Sequence, residues 1–129
     1  MRMRALTVLV LTACAPSLTT VPAGSEFDLS PGEAVLLAGT AVELTMLDVL
    51  NDSRCPADVV CVWAGNAEVR FRVHAGAADT IVSLHTMQEP RAVTVEGVRL
   101  ELTSLAPPTH AGAPIPAAEY RARVRWSTP

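Results

Sequence analysis

Ala67, Val69, Phe71 and Val73 alternate one for one with Glu68, Arg70, Arg72 and His74. Side chains of an extended chain point to opposite faces in turn, so this stretch specifies a strand with one apolar and one charged face. On a helix the same residues would scatter around the axis. Such a strand needs a partner along its edges and a second apolar layer over its buried face. The same period returns near the end of the chain, where Tyr120, Ala122, Val124 and Trp126 read inward and Arg121, Arg123 and Arg125 read outward.

Shorter runs fill the space between. Glu26 to Leu29 reads as an edge strand, and the continuous apolar run Ala34 to Ala38 as a buried one. In Ala41 to Leu50 the apolar parity changes between Met46 and Leu47, which predicts a β-bulge there. Gly76 to Asp79 marks a hairpin, with Thr80 to His85 returning and Val82 and Leu84 inward. Glu96-Gly97 marks a two-residue turn between Ala92–Val95 and Val98–Leu105. Pro107 to Pro116 holds four prolines and reads as a long loop. About eight short strands at this spacing specify an all-β fold: one antiparallel β-sandwich, Ig-like or a partly open barrel, over residues 26–129.

The stretch Asn51 to Asn66 interrupts the strands with turn formers, two cysteines and a tryptophan. Cys55 and Cys61 lie six positions apart, which in an oxidising compartment suits a small closed ring. A ring of about seven residues contributes roughly 2.4 kcal/mol by chain entropy. Zinc sites use four ligands at tighter spacings, and C-x5-C without a nearby histidine does not fit one. Asp52 and Ser53 are turn initiators, and Arg54 has Asp52 or Asp58 as an ion-pair partner. Trp63 stands two residues after Cys61, on the same face of an extended chain. It is expected to cover the disulfide or plug the core; the alternative is an exposed recognition residue.

The run D-S-R-C-P from Asp52, followed after four residues by C-V-W-A-G-N-A from Cys61, resembles a family of small, uncharacterised bacterial lipoproteins and secreted proteins. The likeness is strong over Asp52 to Val69 and extends to the flanking strands only as pattern. It implies an exported protein with a disulfide and carries no activity.

The N-terminus agrees. Two arginines precede the apolar run Ala5 to Thr12, too short to span a bilayer and suited to a signal peptide. Leu11-Thr12-Ala13-Cys14 resembles a bacterial lipobox, with cleavage after residue 13 and an acyl anchor on Cys14. The alternative is ordinary cleavage at Ala13-Cys14-Ala15. Lipidation also accounts for the odd cysteine. Ala15, rather than Asp, resembles the residue that follows the cysteine in lipoproteins sorted to an outer membrane. Residues 14–25 are rich in Pro, Ser, Thr and Gly and read as a flexible tether. Without residues 1–13 the chain has 8 arginines, no lysine and 13 acids. This acidic balance argues against a nucleic-acid partner.

No nucleophile or metalloprotease motif occurs, and His74, His85 and His110 stand apart, so the chain is expected not to be an enzyme. His85 with Met87 would suit copper, and Asp48, Asp52 and Asp58 would offer oxygens to calcium. Neither set matches a known spacing, and neither a metal site nor a cofactor is assigned. The arginines at 121, 123 and 125 read as a cross-strand ladder with acids such as Glu43, Glu68 or Glu101, against an anion-binding stripe. The expectation is a membrane-anchored envelope protein with a non-catalytic binding or structural role. Asp52, Arg54, Asp58 and Trp63 form its candidate binding loop, with an envelope component as partner. The alternatives are a protease inhibitor using Arg54 or Val59 on the stapled loop, and metal handling outside the cytoplasm.

Overall fold

Period-two patterning is realised as two packed sheets. The computed structural model describes residues 8–129. The basic start and the first part of the signal-peptide reading, residues 1–7, lie outside the described residues. Nine strands follow in order: β1 (Thr19–Val21), β2 (Glu26–Leu29), β3 (Ala34–Leu37), β4 (Val42–Leu50), β5 (Glu68–Ala75), β6 (Ala78–His85), β7 (Ala92–Val95), β8 (Val98–Ala106) and β9 (Arg121–Ser127). One sheet has the order β1-β3-β4-β5-β6, the other β2-β9-β8-β7. No α-helix occurs among the described residues; a single 3-10 turn, Ala117–Glu119, precedes β9.

In β5 and β9 the buried residues are those the alternation assigns inward, whereas β3, expected as a continuously buried run, alternates between buried and half-buried residues. Val69, Phe71 and Val73 of β5 face Ala122, Val124 and Trp126 of β9 in one core, together with Leu44, Met46, Leu84, Leu100 and Leu102. Ala67 is buried with them, just ahead of the strand. The register between β4 and β5 shifts between Met46 and Asp48, where the parity change requires it. A second shift, between Leu102 and Ser104, bends β8 against β9. At the β7–β8 hairpin both Glu96 (φ 49°) and Gly97 (φ 74°) are left-handed, the backbone of a primed two-residue turn. The β5–β6 turn is tighter than expected, since β6 already begins at Ala78.

Two expectations are corrected. The tether assigned to residues 14–25 contains β1, which pairs with β3 as Thr19–Val35, Thr20–Leu36 and Val21–Leu37. Trp126 Nε1 donates to the Val21 carbonyl (3.1 Å), and Gly24 N to the Trp126 carbonyl (2.8 Å). Composition alone missed a three-residue strand flanked by Pro and Gly. The sandwich is also not wholly antiparallel, because β1 and β3 run parallel. Parallel neighbours require a crossover, and β2 in the opposite sheet supplies it.

Two arginines of the stripe form a ladder. Arg123 pairs with Asp28 and Arg125 with Glu26, both on β2. Glu101 on β8 stands directly across from Arg125 as expected, whereas Glu43 and Glu68 lie in the other sheet. Arg121 donates to the Ala118 and Tyr120 carbonyls. The neighbour of β9 could not be read from the sequence, because β2 lies almost a hundred residues away.

Candidate functional site

β4 ends at one pole of the sandwich and β5 begins there, so the Asn51–Asn66 loop stands at that pole. Asn51 turns the chain out of β4 with φ 51°, a conformation asparagine tolerates. The loop then folds on itself. Ser53 N donates to the Asn66 carbonyl (2.7 Å) and Cys55 N to the Ala64 carbonyl (2.9 Å), forming a short neck. Gly65, with φ 68°, lies so close to the Ser53 carbonyl that an added Cβ would sit 1.9 Å from its oxygen. Beyond the neck, Cys55 and Cys61 are joined, with Cα atoms 5.9 Å apart.

The base of the loop is bolted to the sandwich. Arg54 Nε and Nη2 donate to the two Asp52 oxygens (2.8 and 2.7 Å), and Arg54 Nη1 to the Leu105 carbonyl (2.8 Å). Tyr120 Oη donates to Asp52 Oδ2 (2.8 Å). The Asp52 and Arg54 side chains are only 12% and 14% exposed. Burial pushes the Asp52 carboxyl up, but the hydrogen bonds from Arg54 and Tyr120 more than offset this and hold it below the usual value. Burial and the Asp52 carboxylate together push the Tyr120 phenol up.

The proline loop is zipped to the same loop. Ala57 N donates to the Thr109 carbonyl (2.7 Å), Thr109 Oγ1 to the Arg54 carbonyl (3.2 Å), and Ala111 N to Asp58 Oδ1 (2.9 Å). A third segment, after β6, is gathered by Asn66. Its Oδ1 accepts from Met87 N (3.0 Å) and Gln88 N (3.1 Å), and its Nδ2 lies 3.0 Å from His85 Nδ1. The disulfide loop, the proline loop and the Thr86–Pro90 segment therefore share one rim.

The outer half of the disulfide loop carries an apolar crown. Val60 and Val62 are fully exposed, Trp63 is 81% exposed, and Val59 and Met87 are partly so. Trp63 neither covers the disulfide nor fills the core, contrary to expectation. The chain after Cys61 is bent rather than extended, so a two-residue offset no longer means a shared face. Trp126 takes the core position instead. A cleft of about 880 Å³ runs beneath the crown, lined by Cys55, Cys61, Trp63, Ala64, Asn66 and Met87. A second, of about 450 Å³, opens between Asp52, Arg54, His110, Ile115 and Tyr120.

Of the four loop residues singled out in the sequence, Asp52 and Arg54 face inward as the bolt, Asp58 clasps the proline loop and Trp63 is presented to solvent. Arg54 is thereby spent and offers nothing to a protease, whereas Val59 remains accessible. The three aspartates considered for calcium diverge: Asp48 pairs with Arg70, Asp52 with Arg54, and Asp58 with the Ala111 amide. Among the described residues no three His, Cys, Asp or Glu side chains converge. Cys14 is exposed and outside the disulfide. Asn66, Tyr120 and Thr109 were not foreseen as members of the site. Tyr120 was legible as buried but not as a donor to a residue 68 positions earlier. No family model, curated protein or solved structure matches this chain.

Proposed function

We propose that this chain is an exported, lipid-anchored β-sandwich whose disulfide-ringed loop is a non-catalytic binding surface for another component of the cell envelope. The observation that carries the reading is the crown of Val60, Val62 and Trp63, fully or largely exposed on a clamped loop. Scattered surface apolar residues are ordinary, but three together on one loop tip have a use. Clamping by the disulfide and the neck lowers the ordering cost of binding. Loops held on a rigid scaffold commonly carry recognition.

The sulfur chemistry supports the compartment. The Cys55–Cys61 disulfide belongs in an oxidising environment, and Cys14 stands where a lipobox places its acylated cysteine. The non-catalytic reading is supported by the titratable side chains of the disulfide loop, which are engaged in holding it together. Asp52 accepts from both Arg54 and Tyr120, and Asp58 accepts from a backbone amide.

A photo-crosslinker placed at Val60 in cells tests the reading against one placed at Ile81, exposed on β6 well away from the crown. Capture from position 60 and not from 81 is expected. Equal yields from both positions would remove the loop as the working surface.

A further inference from the structure

We infer that the crown of Val60, Val62 and Trp63 docks into the headgroup layer of the same bilayer that holds the Cys14 acyl chains, so that the sandwich stands crown-down on its own membrane. This deepens the proposed function by naming the envelope component, and it rests on the reading of Cys14 as lipidated.

Strand direction supplies the first reason. β4 runs toward the crown and β3 runs antiparallel to it, hence away from the crown. β1 is parallel to β3, so the chain arrives at Thr19 from the crown side. Thr19 lies level with Val35 and therefore with Leu44. From Leu44 to Leu50, where the crown loop begins, is six residues, roughly 20 Å of strand.

Tether length supplies the second. Four residues lie between Cys14 and Thr19, five steps of the chain and a reach of at most about 17 Å when fully extended. The membrane end of the tether cannot lie beyond the crown. The tether also holds Thr19 within that distance of the surface. A tether that runs back along the line of β1 brings the crown to headgroup depth.

Side-chain chemistry supplies the third. Tryptophan is favoured at membrane–water interfaces, where its ring body is apolar and its N–H is wet. Val60 and Val62, just before it in the chain, add apolar side chains to the same tip. Charge contributes little. Asp52 and Arg54 neutralise each other at the loop base, and Asp58 is the one remaining charge of the loop, turned to the Ala111 amide. The contact is therefore apolar, independent of anionic lipid and insensitive to salt.

The full, lipidated protein reconstituted in phosphatidylcholine vesicles with brominated acyl chains tests this. Trp126, 1% exposed in the core, serves as an internal reference. We expect a tryptophan component quenched by bromine, absent from Trp63→Phe, unchanged in high salt, and lost in Val60→Asp/Val62→Asp. Emission from Trp63 that stays open to aqueous iodide and blind to brominated lipid would overturn the inference. So would shielding of Trp63 that appears only in vesicles containing native envelope proteins, which would assign the crown to a protein partner. The mass of the same sample separates the two levels. An acylated Cys14 with Trp63 in water removes only the crown inference, whereas an unmodified Cys14 removes the anchored reading beneath it as well.

Discussion

Asp52→Ala should be among the most destabilising polar substitutions in this protein, although Asp52 sits at the base of a surface loop. The substitution removes two charge-assisted hydrogen bonds from Arg54 and one from Tyr120, all at 2.7–2.8 Å. It leaves the Arg54 guanidinium 14% exposed with only the Leu105 carbonyl for company. Breaking a buried pair costs roughly 3–5 kcal/mol, and the pole of a small sandwich is wetter than a true interior, so about 3 kcal/mol is expected. For an ordered domain of about 110 residues this lowers the melting temperature by roughly 13 °C. Tyr120→Phe, which deletes one bond and keeps the ion pair, should cost about 1 kcal/mol. The double variant should lose less than the sum, because both remove the same Tyr120–Asp52 bond. Urea midpoints of the four proteins of this cycle supply the numbers. The pH dependence follows from the direction of the shift. Asp52 is held below its ordinary value of 3.8, so the stability it adds is complete above that pH and is lost as the pH falls through its lower folded-state value. Asp52→Asn should accordingly flatten the acid limb of the stability profile. An Asp52→Ala cost no larger than that of Asp79→Ala, at an exposed pair with Arg72, would refute the view that this network bolts the loop down.

Other expectations are as direct. Gly65→Ala places a methyl group against the Ser53 carbonyl at a positive φ, so it should cost above ~3 kcal/mol and show the greatest loss of any loop substitution in thermal melts. Trp63→Ala should leave the melting temperature within about 2 °C of the parent, whereas Trp126→Ala, which empties a core site and a hydrogen bond, should cost roughly 3–5 kcal/mol. Replacing both Cys55 and Cys61 by Ser should lower stability by roughly 2.4 kcal/mol while the sheet circular-dichroism signal persists, since the neck hydrogen bonds and the Asp52 network remain.

What could be read in advance was whatever one strand reports about itself. The alternation in Ala67–Val73 and Tyr120–Trp126 assigns faces without reference to any neighbour, and those faces are the buried ones. The parity change at Met46–Leu47 likewise located a bulge, because a face must be kept. What stayed hidden depends on which elements meet. Arg123 and Arg125 advertise a need for acids, but only the sheet order shows that Asp28 and Glu26 meet it. Thr19–Val21 gains its strand character from the free edge of β3 and from the Trp126 indole, neither visible in a Pro- and Gly-flanked tripeptide. Trp63 was misplaced for a related reason. Its spacing from Cys61 has meaning only on a regular strand, and the disulfide ring makes that stretch irregular. The rim joins the disulfide loop to the proline loop, both legible as loops but not as neighbours. Its third member, the segment held by Asn66, carries no signal beyond an asparagine after a glycine, where a turn role was the obvious assignment.

Both the binding surface and its membrane placement rest on an acyl-anchored, oxidised chain, and the intact mass of the protein purified from membranes tests that most directly. The mass should correspond to a polypeptide starting at Cys14, carrying acyl groups there, with Cys55 and Cys61 two hydrogens short of free thiols. A product retaining Met1, or one with all three cysteines free to alkylate, would contradict the account.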